Sequence, residues 1–175
     1  MDSPTTSRFT WAIAEMVFRP GDKVLEIGPG TGIALELIAT QVSSGHVVAV
    51  DQSRPMLAKT ESRLKKAALD QRVTFIKGKA ETANLSGFHF DKVFAFNVNI
   101  FLKPVDLIPL LDPIVKSGVI GIFYQNPPGS DRRRLAEMLE KVKARLNSYH
   151  FEVVNIPMFK EDKSTPTGGV VARKK

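Results

Sequence analysis

Apolar positions along this chain change period repeatedly, from short continuous runs to helical spacing and back. Phe9, Ala12, Ile13, Met16 and Val17 recur at helical spacing over residues 8–18, and Arg19-Pro20-Gly21-Asp22 turns the chain. Val24-Leu25-Glu26-Ile27 then predicts a short buried strand, followed by a glycine-rich turn and an amphipathic helix carrying Ile33, Ala34, Leu37 and Ile38. Val47-Val48-Ala49-Val50 is a second strand of the buried type. Ser53 as N-cap and Pro55 in the first turn open a helix to about Leu69. Further strands are predicted at 73–76, 90–96, 118–124, 151–156 and 169–172. A helix is expected from Pro104 to Val115, kinked or split by Pro109 and Pro113, and a long one begins near Ser130 and runs through Leu146.

Strands that alternate with helices and read as near-continuous apolar runs point to a parallel sheet covered on both faces. The last two strands have only the loop 159–167 between them, which predicts a hairpin. The expected fold is α/β, a doubly wound, mainly parallel seven-stranded sheet with a C-terminal antiparallel hairpin. Residues 1–23 read as an N-terminal helical segment and 24–175 as the body of the domain. The absence of cysteine excludes disulfides and thiolate metal sites. No apolar run reaches membrane-spanning length, and Met1-Asp2-Ser3-Pro4-Thr5-Thr6 lacks a secretory signal pattern, so the expectation is a cytoplasmic protein without membrane insertion.

The net charge of +7 lies mostly in the C-terminal part and includes Arg132-Arg133-Arg134 and Arg173-Lys174-Lys175. Such charge attracts anionic partners by its long-range field or simply keeps the protein in solution. No basic stripe with interleaved aromatics accompanies it, which favours the second reading.

Gly28-Pro29-Gly30-Thr31-Gly32 leaves a buried strand and enters a helix. Glycines there permit left-handed angles and close approach to a ligand, and the helix N-terminus behind them offers unpaired N–H groups. The turn has no Gly-Lys-Ser/Thr, which disfavours a nucleoside triphosphatase. Asp51 directly follows the second strand, at the sheet edge where doubly wound folds bind ligands. A carboxylate there can accept both hydroxyls of a ribose or cap the next helix. No carboxylate–histidine spacing suggests a metal, and His46, His89 and His150 are expected at the surface, away from the site.

Residues 24–32 resemble the first motif of class I S-adenosylmethionine-dependent methyltransferases, with Glu26 ahead of the glycines. Asp51 to Leu57, Gly78 to Glu81 and Asp91 to Phe101 are similar to the later motifs of that family, in order. The resemblance implies S-adenosylmethionine as cofactor. By it Gly28, Pro29, Gly30, Thr31 and Gly32 wrap the amino-acid end, and Glu26 orients that loop or reaches the amino group through water. Asp51 takes the ribose, Gln52 and Met56 lie against adenine or ribose, Ala80 and Glu81 meet the adenine edge, and Asn97 sits near the sulfonium.

The acceptor pocket is expected from Asn97-Val98-Asn99-Ile100-Phe101, from Tyr124, Gln125 and Asn126, and from Phe9 and Trp11 of the first helix acting as a cap, with Met158 and Phe159 closing one side. Trp11 serves equally as a core anchor. Asn126-Pro127-Pro128-Gly129 is similar in its first three residues to the motif of amino-methylating nucleic-acid enzymes, but it follows the fifth strand and lacks the aromatic, so it reads as a rigid turn. The favoured function is methyl transfer to a small-molecule acceptor. The competing readings are a methyltransferase acting on RNA, DNA or protein, an NAD-dependent oxidoreductase, and a non-catalytic cofactor-binding protein. The oxidoreductase reading lacks a Tyr-x-x-x-Lys pair. No general base stands out, and a homo-oligomer, or a partner closing the acceptor site, stays open.

Overall fold

A computed structural model describes residues 4–159 and 165–175 of the chain. Helix α1 (Pro4–Met16) is followed by β1 (Lys23–Ile27), α2 (Ile33–Gln41), β2 (His46–Asp51), α3 (Arg54–Lys66), β3 (Val73–Lys77), β4 (Phe90–Phe96), α4 (Ile108–Leu111), β5 (Ile114–Gln125), α5 (Arg132–Ser148), β6 (Phe151–Asn155) and β7 (Thr167–Lys174). The seven strands form one sheet in the order β3-β2-β1-β4-β5-β7-β6. The first five are mutually parallel, and β7 runs antiparallel between β5 and β6. This is the Rossmann-like arrangement that the alternating pattern predicts, including the C-terminal hairpin.

Two cores flank the sheet. On one face Ala12, Ile13 and Met16 of α1 pack with Ala34, Leu35 and Ile38 of α2 and Leu64 of α3 against Val24, Val47, Phe94 and Phe123. On the other, Leu110 and Leu111 of α4 and Leu135, Leu139, Val142 and Leu146 of α5 cover Leu25, Val48, Val93, Ile120 and Val170. Near-continuous apolar strands are what two covered faces require. Among the described residues no helix is long and apolar enough to cross a membrane.

The expected helix over 104–115 is corrected. Only Ile108–Leu111 is helical, with Pro109 in its first turn, and Ile114 already belongs to β5. Pro113 has no N–H to continue a helix, and its carbonyl accepts from Phe90 N at 2.9 Å, which draws the chain into the sheet. Strand β5 therefore starts four residues before the predicted Gly118. Helix α5 is capped by Asp131, not Ser130: the Asp131 carboxylate accepts from Arg133 N at 2.8 Å. Ser130 N instead donates to Pro127 O at 3.1 Å, so Asn126-Pro127-Pro128-Gly129 does form a tight turn.

Phe123 locks the N-terminal helix to the sheet. Its ring meets Trp11 edge-on at 5.5 Å and lies 5.4 Å from Phe94 and 6.4 Å from Phe96. It crosses β7 at Gly169, where a Cβ would stand 2.3 Å from the ring, so only glycine leaves it room. Truncating a fully buried aromatic removes transfer energy and opens a cavity. Phe123→Ala is expected to lower stability by about 3–5 kcal/mol, read as a lower urea midpoint with an unchanged m value.

Candidate functional site

The turn after β1 is built by three neighbours. Gly28 N donates to Val50 O at 2.8 Å, which carries the parallel pairing one residue past the strand. Gly28 (φ 67°) and Gly32 (φ 79°) are left-handed. A Cβ at Gly28 would stand 2.9 Å from the Val98 side chain, and one at Gly32 would stand 2.7 Å from the Thr60 methyl and 3.2 Å from Thr60 Cα. Angle and space therefore both demand glycine. From α3, the buried Thr60 hydroxyl donates to Gly30 O at 2.8 Å, and Arg63 Nε donates to Thr31 O at 3.0 Å while its guanidinium pairs with Glu36 at 2.9 Å. Thr60 and Arg63 were not read from the sequence, since nothing local to α3 marks a contact with a turn about 30 positions earlier. Gly32 caps α2 with no side-chain hydrogen bond, leaving that helix N-terminus to the turn itself.

Beside this turn a cavity of about 390 Å³ opens at the carboxyl edge of the sheet. Gly28, Asp51, Gln52, Ala80, Glu81, Asn97, Val98, Asn99 and Ile100 line it, together with Lys79 and Lys103, to which no role was read from the sequence. Parallel strands deliver them: Asp51 ends β2, Gly78 follows β3 and Asn97 follows β4. One Asp51 oxygen accepts from Ser53 N at 2.8 Å, closing a turn just ahead of α3, while Ser53 is the N-cap of that helix as expected, its hydroxyl accepting from Met56 N. Asn97 adopts a left-handed φ of 57°. Its N–H donates to Phe123 O and its side-chain oxygen accepts from Gln125 N, both at 2.8 Å. An asparagine tolerates that conformation better than most residues, and the two bonds pin the end of β4 to β5.

Glu26 is the electrostatic anomaly. It projects from β1 into the α1–α3 side of the sheet, is 3% exposed, and its Oε2 has no hydrogen-bond partner. Burial without a counter-charge pushes its pKa from 4.5 to about 8.

Other predicted site residues lie elsewhere. Pro29, Gly30, Thr31, Gly32 and Met56 belong to the turn and to α3 and do not line the cavity. Phe101 and Tyr124, expected on an acceptor surface, are each 1% exposed and belong to the core. The Tyr124 hydroxyl donates to Val98 O at 2.8 Å, so it supports the cavity wall from behind, and desolvation raises its pKa. Asn126 is buried, with its N–H on Pro166 O and its Nδ2 lacking a partner. Trp11 packs between Phe123 and Phe159, and Phe9 lies 4.8 Å from Phe96. Met158 is 42% exposed. His46 is half-buried rather than at the surface, because its Nε2 hydrogen-bonds Thr74 Oγ1 at 2.8 Å; it lines a small cavity at the opposite sheet edge with His89. His150 is exposed. Among the described residues no cluster of three or more His, Asp or Glu could hold a metal.

Comparison with known proteins agrees with this geometry. A family model described as a methyltransferase domain matches residues 24–116, from the start of β1 into β5. The chain belongs to the class I methyltransferase family. An uncharacterised methyltransferase of Bacillus subtilis, YdaC, is 30% identical over 87 residues, which are 50% of this chain and 46% of that protein, so the match spans about half the length of the relative. Precorrin-6y C5,15-methyltransferase of Geobacter metallireducens superposes with a TM-score of 0.70 at 15% identity, over 95% of this chain and 88% of that chain. A geranyl diphosphate methyltransferase solved with S-adenosylmethionine gives 0.71 at 10% identity, over 97% and 85%. At these identities the structures attest the shared fold alone.

The Glu26 carboxyl gives the stability of this chain a signed pH dependence. Its folded pKa of about 8 lies above the unfolded value near 4.5, so the native state holds the extra proton between them. The carboxyl is accommodated in full below the lower value, and stability falls as pH rises toward the upper one. Glu26→Gln is expected to remove that loss. Its stability gain over the wild type should be absent near pH 4 and grow with a limiting slope of about 1.4 kcal/mol per pH unit up to about pH 8, as read by chemical denaturation across pH.

Proposed function

We propose that this methyltransferase takes its methyl group from S-adenosylmethionine and passes it to a small-molecule acceptor. The observation that carries the reading is the buried Glu26 carboxyl, with Oε2 unpartnered, beside a turn in which Gly28 and Gly32 leave no room for side chains. A group left unsatisfied in the interior is expensive unless a ligand satisfies it. A carboxyl there suits the ammonium at the amino-acid end of the donor, directly or through water. The turn 28–32 would wrap that end. Asp51 keeps one oxygen beyond its bond to Ser53 and lines the cavity, which suits ribose hydroxyls. Gln52, Ala80 and Glu81 would meet the adenosyl part, and Asn97, fixed by β5, would stand near the sulfonium.

Bound there, the donor supplies an electrophilic methyl group on sulfur. What remains for the chain is to align a nucleophile and exclude water. Asn97 and Asn99 offer uncharged hydrogen-bonding groups at the cavity, and Phe96 offers a flat wall. The histidines lie away from it, so the reading needs no histidine base. Exposed Arg132, Arg133 and Arg134 open α5 just beyond the carboxyl end of β5, at the same sheet edge. They support a second reading in which the acceptor is nucleic acid.

Calorimetry with S-adenosylmethionine, S-adenosylhomocysteine and NAD tests the donor. Both adenosyl compounds are expected to bind, and Asp51→Asn and Asp51→Ala to weaken them by about 10- to 100-fold, the range for losing a charge-assisted hydrogen bond. A folded protein that binds NAD alone, or neither adenosyl compound, refutes the reading. RNA binding lost with Arg132, Arg133 and Arg134 replaced by Ala would move the acceptor to the second reading.

A further inference from the structure

Arg8, one turn into α1, stands behind Phe96, a residue of the cavity wall, and has no ion pair among the described residues. Its Nε is buried and has no hydrogen-bond partner. Its guanidinium carbon lies 4.9 Å from the centre of the Phe9 ring and 6.0 Å from that of Phe96. Phe96 in turn lines the cavity alongside Gly28 and Asn97. Arg63, by contrast, is held by Glu36 and Thr31 O, and Arg145, whose Nε is likewise without a partner, spends its two terminal nitrogens on the carbonyls of Lys103 and Val105. Among the described residues no carboxylate plays that part around Arg8, and burial lowers its pKa.

Two aromatic rings flank the guanidinium and its Nε is closed off from water, which leaves that N–H donor unused. Desolvated donors of that kind are unfavourable until an acceptor arrives. The planar fork matches a carboxylate with two parallel hydrogen bonds, a geometry that lysine cannot reproduce. We propose that Arg8 is an anion-binding residue of this site, receiving a carboxylate against the Phe9–Phe96 wall. Two molecules could bring that carboxylate. One is the donor, whose amino-acid end carries one and would lie by Gly28; this source rests on the donor reading above. The other is an acceptor with an anionic group, entering along the same wall.

Arg8→Met and Arg8→Lys separate these sources. Each variant is first checked for its fold by circular dichroism and melting. S-adenosylhomocysteine and 5′-methylthioadenosine, which lacks the amino-acid end, are titrated calorimetrically, and benzoate and benzamide are titrated into protein saturated with S-adenosylhomocysteine. A donor carboxylate predicts that Arg8→Met weakens S-adenosylhomocysteine by about 10- to 100-fold, with methylthioadenosine unchanged and Arg8→Lys intermediate. An acceptor carboxylate predicts unchanged S-adenosylhomocysteine, with benzoate but not benzamide bound by the wild type and lost in Arg8→Met. Should Arg8→Met not fold, Arg8→Lys carries the same contrasts at smaller size. The proposal is overturned if both adenosyl compounds weaken together, which marks a packing role, or if neither S-adenosylhomocysteine nor benzoate distinguishes the variants from the wild type. A wild type that binds no S-adenosylhomocysteine defeats the donor reading instead. Benzoate titrated into the free protein then decides Arg8 alone, for it if Arg8→Met loses benzoate and against it otherwise.

Discussion

Strand β1 is hydrogen-bonded in parallel on both sides, to β2 and to β4, and the placement of the site follows from that pairing. The registers Ile27 with Val50 and Ile27 with Ala95 bring three strand ends level. The chain must leave each strand at the same sheet edge, so Gly28, Asp51 and Asn97 converge there without being close in sequence. A slip of one residue would turn Leu25 and Ile27 toward the α1–α3 side and send Glu26 into the other core. The apolar alternation around Glu26 therefore fixes where the cavity opens as well as which way the strand faces.

Once the strand ends are aligned, α3 holds the turn in shape. Left-handed glycines are permissive, and a permissive loop samples many states unless something outside it chooses one. Thr60 and Arg63 bind carbonyls within the turn, and the Thr60 side chain occupies the space where a Cβ on Gly32 would go. Asn97 is held in the same manner, by β5. The flexible residues are thus pinned by rigid elements, which pre-organises a site so that ligand binding spends little on ordering loops.

Much of this could be read in advance. Period changes marked most elements, and the glycines and Asp51 marked the edge at which the cavity opens. The errors share a cause: each needed knowledge of a distant neighbour. Pro113 looked like a helix kink, yet its carbonyl is taken by Phe90 across the sheet. Tyr124 and Phe101 sit in sequence beside lining residues, but the alternation at β5 and the turn after β4 send them into the core. Ser130 and Asp131 are equally good caps by residue type, and the tight turn at Pro127 decides between them. Thr60 could not be found, because a threonine in the middle of a helix carries no local sign of whose carbonyl it will reach.

Glu26, next to the turn, and Arg8, over Phe96 on the same face of the sheet, are ionisable side chains without a partner charge. Glu26 lies opposite Phe94 in the β1–β4 register, and Phe96, over which Arg8 stands, is on the same face two residues further toward the carboxyl edge. An acid and a base on one face of a sheet could neutralise each other, yet no ion pair joins them and neither pKa moves as a partner charge would move it. Burial leaves Glu26 protonated at neutral pH instead, the alternative open to a carboxyl that has no counter-ion. Apolar replacements would be more stable at both positions by the ordinary reckoning of buried polar groups. Retaining both, apart and unsatisfied, fits a site that trades stability for a ligand bearing its own charges, and stability traded in this way is characteristic of functional sites rather than of cores.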